Sequence, residues 1–303
     1  MLTAVACASV RPRVAVRQCA TQARVEISGK ARVKVNGRDL RLSPSAISAF
    51  KQCPLQWKLR YIDRLPEPTN ENLATGIIIH EAPRPRSCAR PLPPAPYRGP
   101  LHAGAQALAE LFKLPRHERD LPTLEALFRS AWGRVRTTER YRPLFFERAA
   151  RPDGADDDAA ADDSWSHDRE RERAWGLRAL AALSRYFELE DPASIEPVAC
   201  EERLTCSFDD LPPITGVIDR LDGDGVITDY KSGRAPHLKY ARGTNARIRG
   251  ESFFQLRFYA WLLRERGVPA TALRLLYLGD AHEMRAEVSD DDIDRTADEA
   301  RAT

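Results

Sequence analysis

Asp219, Asp229 and Lys231 are the residues of this 303-residue chain whose types and spacing most plainly invite chemistry. They lie in residues 214–233, ITGVIDRLDGDGVITDYKSG, where two apolar runs, 214–221 and 226–230, flank an Asp-Gly-Asp-Gly segment. Short strand-like runs separated by a few Gly and Asp residues predict a β-hairpin. Side chains alternate faces along a strand, so Asp229 and Lys231 share one. Asp219 joins them if the loop holds an odd number of residues. A three-residue loop, 223–225, with Gly225 in the left-handed conformation meets that condition and sets Asp219 across from Asp229. Two carboxylates at one spot can bind a hard divalent cation, which polarises a phosphoryl oxygen and lowers the pKa of a bound water. A lysine beside them can position that water or offset charge that develops in the transition state. The chemistry on offer is hydrolysis of a phosphodiester.

Only 7 of the 47 basic residues are lysine, so a compact ammonium at 231 stands out against a default of arginine. An Asp-x-Lys pair on a strand also occurs as a plain cross-strand ion pair, and the hairpin alone does not decide between the two. The other elements that must position a site do. Upstream lie residues 42–61, LSPSAISAFKQCPLQWKLRY, and 76–82, GIIIHEA; downstream lies 254–263, FQLRFYAWLL. His80 alone reads as a core histidine. Gln255 and Tyr259 fall one turn apart on a helix expected over 252–265, whose phenylalanines, leucines and Trp261 make a wide apolar surface. Tyr259 alone reads as core with its hydroxyl at the rim.

Taken together and in this order, these segments resemble the RecB-like branch of the PD-(D/E)XK nuclease superfamily, which includes the nuclease domains of RecB and AddB. Gly76 and His80 match its Gly-x-x-x-His motif. Gly216, Asp219 and Arg220 match Gly-x-x-Asp-Arg; Asp229, Tyr230 and Lys231 match Asp-Tyr-Lys; Gln255 and Tyr259 match Gln-x-x-x-Tyr. The resemblance implies an α/β fold with a restriction-endonuclease-like core, a mixed β-sheet flanked by helices on both faces. It implies His80, Asp219, Asp229 and the backbone carbonyl of Tyr230 as metal ligands for Mg²⁺ or Mn²⁺. Asp219, Asp229 and Lys231 would be catalytic, and Gln255, Tyr259 and Arg220 would orient the site or touch DNA. The expected activity is that of a metal-dependent, exonuclease-like deoxyribonuclease of repair and recombination, acting on DNA that is single-stranded or has free ends. Two other readings stay open: a catalytically impaired module of the same fold that binds single-stranded DNA, and a structural partner of a helicase.

Two departures from the family pattern stand in the sequence. Pro83 ends the expected motif helix three residues after His80. Many relatives hold a 4Fe-4S cluster with one cysteine before the first motif and three near the C-terminus. Cys53 matches the first as a vestigial ligand, but no cysteine follows Cys206, so no cluster is expected in this chain and a C-terminal truncation is the simplest explanation.

Composition bounds the rest. A net charge of +3 confines any DNA contact to a local patch. Six cysteines without a Cys-x-x-Cys pair fit a reducing cytoplasm better than a disulfide scaffold. No run of about 18 apolar residues suggests a membrane span. Residues 1–40 read as an extension of unknown role, with a strand or two around 25–35; the nuclease-like domain covers 41–303. Ser43 is expected to cap a helix that has Pro44 at its first position. Basic residues interleaved with Trp57 and Tyr61 could hold a single strand. Helices are expected over 105–114, 121–136 and 167–188, and strands over 197–208 and 273–279. The Pro/Arg-rich 83–104 and the acidic 150–166 read as disordered loops.

Overall fold

A computed structural model describes residues 25–28, 32–35, 37–65, 69–80, 107–148 and 165–302. The loop expected at 83–104, the break at Pro83 and residues 150–164 lie outside these. In chain order, strands β1 (Val25–Ser28), β2 (Arg32–Val35) and β3 (Arg38–Asp39) form a small antiparallel sheet. Helices α1 (Pro44–Gln52), α2 (Pro54–Trp57) and α3 (Glu71–His80) follow, with a π-helical turn, Lys58–Ile62, continuing α2. Next come α4 (Ala107–Phe112), α5 (Leu121–Val135), the short pair β4 (Phe146–Arg148) and β5 (Trp165–His167), and α6 (Arg169–Leu189). Trp165 and Ser166, expected in a disordered loop, are instead paired in β5 with Arg148 and Glu147.

The remaining elements build the main sheet: β6 (Pro197–Cys206), β7 (Ile214–Asp222), β8 (Val226–Lys231), the long helix α7 (Arg242–Arg264), β9 (Ala272–Tyr277), β10 (His282–Glu287) and α8 (Asp290–Arg301). Its order is β10-β9-β8-β7-β6, antiparallel throughout except for the parallel pair β8 and β9 joined across α7. The sheet is therefore mixed, with helices on both faces, a restriction-endonuclease-like arrangement. On one face, Ile214, Ile218, Ile227, Leu273 and Leu275 pack against Phe253, Phe258, Trp261 and Leu262 of α7. On the other, Tyr230, Leu276 and Leu278 pack against α3 to α6 through Ile78, Leu111, Phe128, Trp175 and Tyr186. Near-continuous burial of β8 follows from its place at the middle of a sheet covered on both sides.

Local chemistry explains the element starts that matter for the site. Ser43 caps α1, its hydroxyl accepting the Ala46 N–H at 3.2 Å, with Pro44 at the first position. Cys53 caps the four-residue α2, its sulfur accepting the Gln56 N–H at 3.4 Å. The hairpin loop closes through Gly225 at φ +84°, where a Cβ would also stand 3.0 Å from the Pro269 carbonyl oxygen. Its ladder pairs Arg220 with Thr228 and Leu221 with Ile227.

Candidate active site

The hairpin does not alternate evenly. Ile218 and Leu221 both join the core under α7, so the facing slips between them. At that level β6 contains Glu201, with φ +52°, between Cys200 and Glu202, which pair with Arg220 and Ile218. A local irregularity of this kind re-aims a side chain at the point where it occurs. Here that side chain is Asp219: its carboxylate accepts the Tyr230 N–H at 3.0 Å.

Asp229 is 3% exposed as a side chain, and its carboxylate lies 2.8 Å from the Lys231 ammonium, itself 34% exposed. Lys231 also donates to Gln255 Oε1 at 3.1 Å, and Gln255 Nε2 donates to the Tyr259 hydroxyl at 3.0 Å. Asp229, Lys231, Gln255 and Tyr259 thus form one connected chain of polar contacts between β8 and α7. Burial opposes the Lys231 charge, but the Asp229 and Asp219 carboxylates outweigh it and hold the ammonium above the usual lysine range. Burial, then the same two carboxylates, pushes the Tyr259 phenol up. Both carboxylates therefore act on both groups.

Gly216 has a steric reason to be glycine. A Cβ there would lie 2.4 Å from Cε1 of Tyr259, so the tyrosine ring rests directly on the strand backbone. Gly76 of α3 carries no such constraint, since a Cβ there would make ordinary contact with Ser232 Oγ at 3.5 Å, but the distance shows α3 lying against the end of β8. His80 closes α3 one turn further on; its side chain lies outside the described residues. The clamp on the other side of α3 is Trp175, whose indole N–H meets Thr75 Oγ1 at 2.8 Å, and Arg171, which donates to Glu71 at 2.8 Å.

Arg220 is not brought to this site. It is fully buried on the opposite face of the sheet, where it pairs with Glu190, with Asp222 at 2.9 Å, and with the Tyr230 hydroxyl at 2.8 Å. Arg274 closes the cluster through Glu190 and Glu283. A guanidinium with no exposed surface touches no DNA, which corrects the expectation for Arg220. Burial works against the Glu190 charge, but Arg220 wins and holds the carboxyl below the usual range. Cys53 is a free thiol engaged in capping. Cys200 is a core thiol that burial pushes up to about 12.

A cleft of about 260 Å³ opens onto Lys231 and Gln255, walled by Pro44, Ser45 and Ser48 of α1, Ser252 of α7 and Tyr277 of β9. The sequence reading missed this wall. Its signals were the three-residue spacing of Ser45 and Ser48, which puts them on one face of α1, and the position of Ser252 one turn before Gln255. Among the described residues, no group of three or more His, Cys, Asp or Glu is gathered tightly enough to hold a metal ion. The donor chemistry present, two carboxylates converging beside a lysine, is of the hard-oxygen kind that suits Mg²⁺ or Mn²⁺.

A mixed sheet thus carries an Asp-x-Lys strand opposite a second aspartate, with a helix holding the lysine. The family model of the PD-(D/E)XK nuclease superfamily matches residues 41–303, and the chain belongs to that superfamily. No curated protein matches the sequence.

Proposed function

We propose that this nuclease is a metal-dependent deoxyribonuclease of the RecB-like, exonuclease-type branch, acting in DNA repair or recombination in the cytoplasm. The observation that carries the reading is the connected chain Asp229, Lys231, Gln255, Tyr259, open to a cleft at Lys231 and flanked by Asp219. Asp219 and Asp229, with the Tyr230 carbonyl and His80, are the groups that would hold Mg²⁺ or Mn²⁺. When bound, such an ion supplies Lewis acidity toward the phosphoryl oxygen and a more acidic water.

The chain's own residues do the rest. Lys231 holds a positive charge at the mouth of the cleft, where negative charge grows as the scissile phosphate is attacked. Gln255 fixes the ammonium by accepting a hydrogen bond from it, and Tyr259 fixes Gln255 by accepting a hydrogen bond from its amide N–H. The ring of Tyr259, seated on Gly216, ties this row to β7 and hence to Asp219. Residues 41–303 form the catalytic domain in this reading, with 1–40 as an extension to it. DNA with a free or single-stranded end is the substrate in this reading.

The test is cleavage of end-labelled single-stranded DNA with and without Mn²⁺, with Lys231→Ala as control. Products that need both the metal and Lys231 are expected. Binding without cleavage by a well-folded sample would sink the catalytic reading.

A further inference from the structure

Immediately after Lys231, residues 232–250 contain Arg234, Lys239, Arg242, Arg247 and Arg249 and no acidic residue. All five basic residues are exposed; Arg247 pairs with Glu251 at 2.7 Å and Arg249 donates to the Arg285 carbonyl at 3.1 Å, which leaves Arg234, Lys239 and Arg242 nearest Tyr240 as the main open charge. Among them, Tyr240 is 59% exposed. The segment around it is pinned. The Ala235 N–H donates to the Asp280 carboxylate at 3.1 Å, and Leu238 packs against the core under α7. The Asn245 side chain accepts the Tyr240 N–H at 3.2 Å and donates to the Tyr240 carbonyl at 2.8 Å and the Leu238 carbonyl at 3.3 Å. A tyrosine presented on a fixed backbone loses little further entropy when another ring stacks on it.

The start of α7 points the same way. Its N-cap is Ala241, with no side-chain cap, and its first turn carries Arg242 and no acid. Helix electrostatics alone would favour an acid there, since the amides and the macrodipole already make that end positive. A phosphate satisfies the open amides and the arginine together. From Arg242 to the cleft residue Ser252 is about 15 Å of helix rise. The basic start of α7 and the Lys231 cleft therefore lie along one helix.

We infer that residues 232–250 form a binding surface for single-stranded DNA, with Tyr240 as a platform for one unpaired base and the arginines tracking phosphates toward Lys231. This rests on the nuclease reading for what happens in the cleft, but not for the binding itself. An exposed aromatic among basic residues recognises a single strand because only an unpaired base offers its face for stacking. A duplex would engage the arginines and leave Tyr240 unused.

Binding is to be measured in EDTA by fluorescence anisotropy, with labelled oligo(dT) and a blunt duplex of equal length. Oligo(dT) should bind at least ~10-fold tighter than the duplex. Tyr240→Ala should weaken oligo(dT) binding by about 5- to 100-fold, and Tyr240→Phe should retain it, as expected for one stacked base. Replacing Arg234, Lys239 and Arg242 with glutamine should reduce the slope of log affinity against log salt by about 2. Wild-type binding by Tyr240→Ala, or equal affinity for duplex, would overturn the inference. The two readings part company in Mn²⁺. Tyr240-dependent binding without cleavage leaves this surface standing and removes the nuclease. Cleavage together with Tyr240-independent binding does the reverse.

Discussion

The β7–β8 hairpin carries charge on both faces of the sheet, and the two faces are built for opposite ends. On one, Arg220, Glu190, Asp222 and Arg274 close on one another around the Tyr230 hydroxyl, with the Arg220 side chain wholly shielded. On the other, Lys231 keeps a third of its side-chain surface open to a cleft while bound to a nearly buried Asp229. The first cluster spends its charges on each other. The second leaves a cation with a free side, which a phosphate can approach. Exposure and partner count, rather than charge itself, separate the group that holds the strand from the group proposed to act.

The largest effect expected on this contrast is catalytic. Lys231→Ala or Asp229→Ala should lower DNA cleavage by several powers of ten, each tenfold step being about 1.4 kcal/mol of barrier. Lys231→Ala should keep the wild-type circular dichroism spectrum. Activity within tenfold of wild type in both variants would abolish the distinction between the faces.

Arg220→Ala should behave in the opposite manner. Removing the buried guanidinium leaves Glu190 only Arg274 and the Tyr186 hydroxyl, takes the ion-pair partner from Asp222, and should cost about 3 kcal/mol of stability in urea titration. Activity per folded molecule should stay close to wild type. Gly216→Ala comes next. A methyl group inside the Tyr259 ring should cost about 1–3 kcal/mol and lower cleavage. The same change should cost much less in a Tyr259→Ala background, a coupling that a double-mutant cycle reads directly.

The smallest effect concerns pH. The Glu190 carboxyl is held below its usual range in the folded state, so its stabilisation is fully present above the unfolded glutamate pKa of about 4.3. It is lost as pH falls through the lower folded value. The urea midpoint should therefore drop between pH 5 and pH 3 by more in wild type than in Glu190→Gln. Parallel curves would mean that the buried cluster is not what acid disrupts.

Much of this contrast was legible in the sequence, and the rest was not, for physical reasons. The loop parity and the left-handed Gly225 came from turn chemistry, which is local. The Ser43 cap came from capping chemistry and the Gln255 and Tyr259 stripe from helix periodicity, both local. Helix α7 begins ten residues before the expected 252, because Arg242 to Glu251 contains only Ile248 as a large apolar residue and gives no periodic signal. Strand β10, HEMRAE, was missed because it is a charged edge strand with Met284 as its one buried residue. The buried fate of Arg220 depends on Glu190, thirty positions away, which no local rule connects to it. Strand alternation nonetheless placed Arg220 away from Asp219, and that signal was available.

The parallel pairing of β8 with β9 has a consequence for how the molecule comes into being. The two aspartates belong to a hairpin, which can close in microseconds from neighbouring residues. Lys231 settles beside Tyr277 only after the chain has wound the whole of α7 and returned alongside β8. Such a crossover is a long-range, slow closure. In a chain still being made, the hairpin can therefore close before Lys231 gains its parallel neighbour Tyr277.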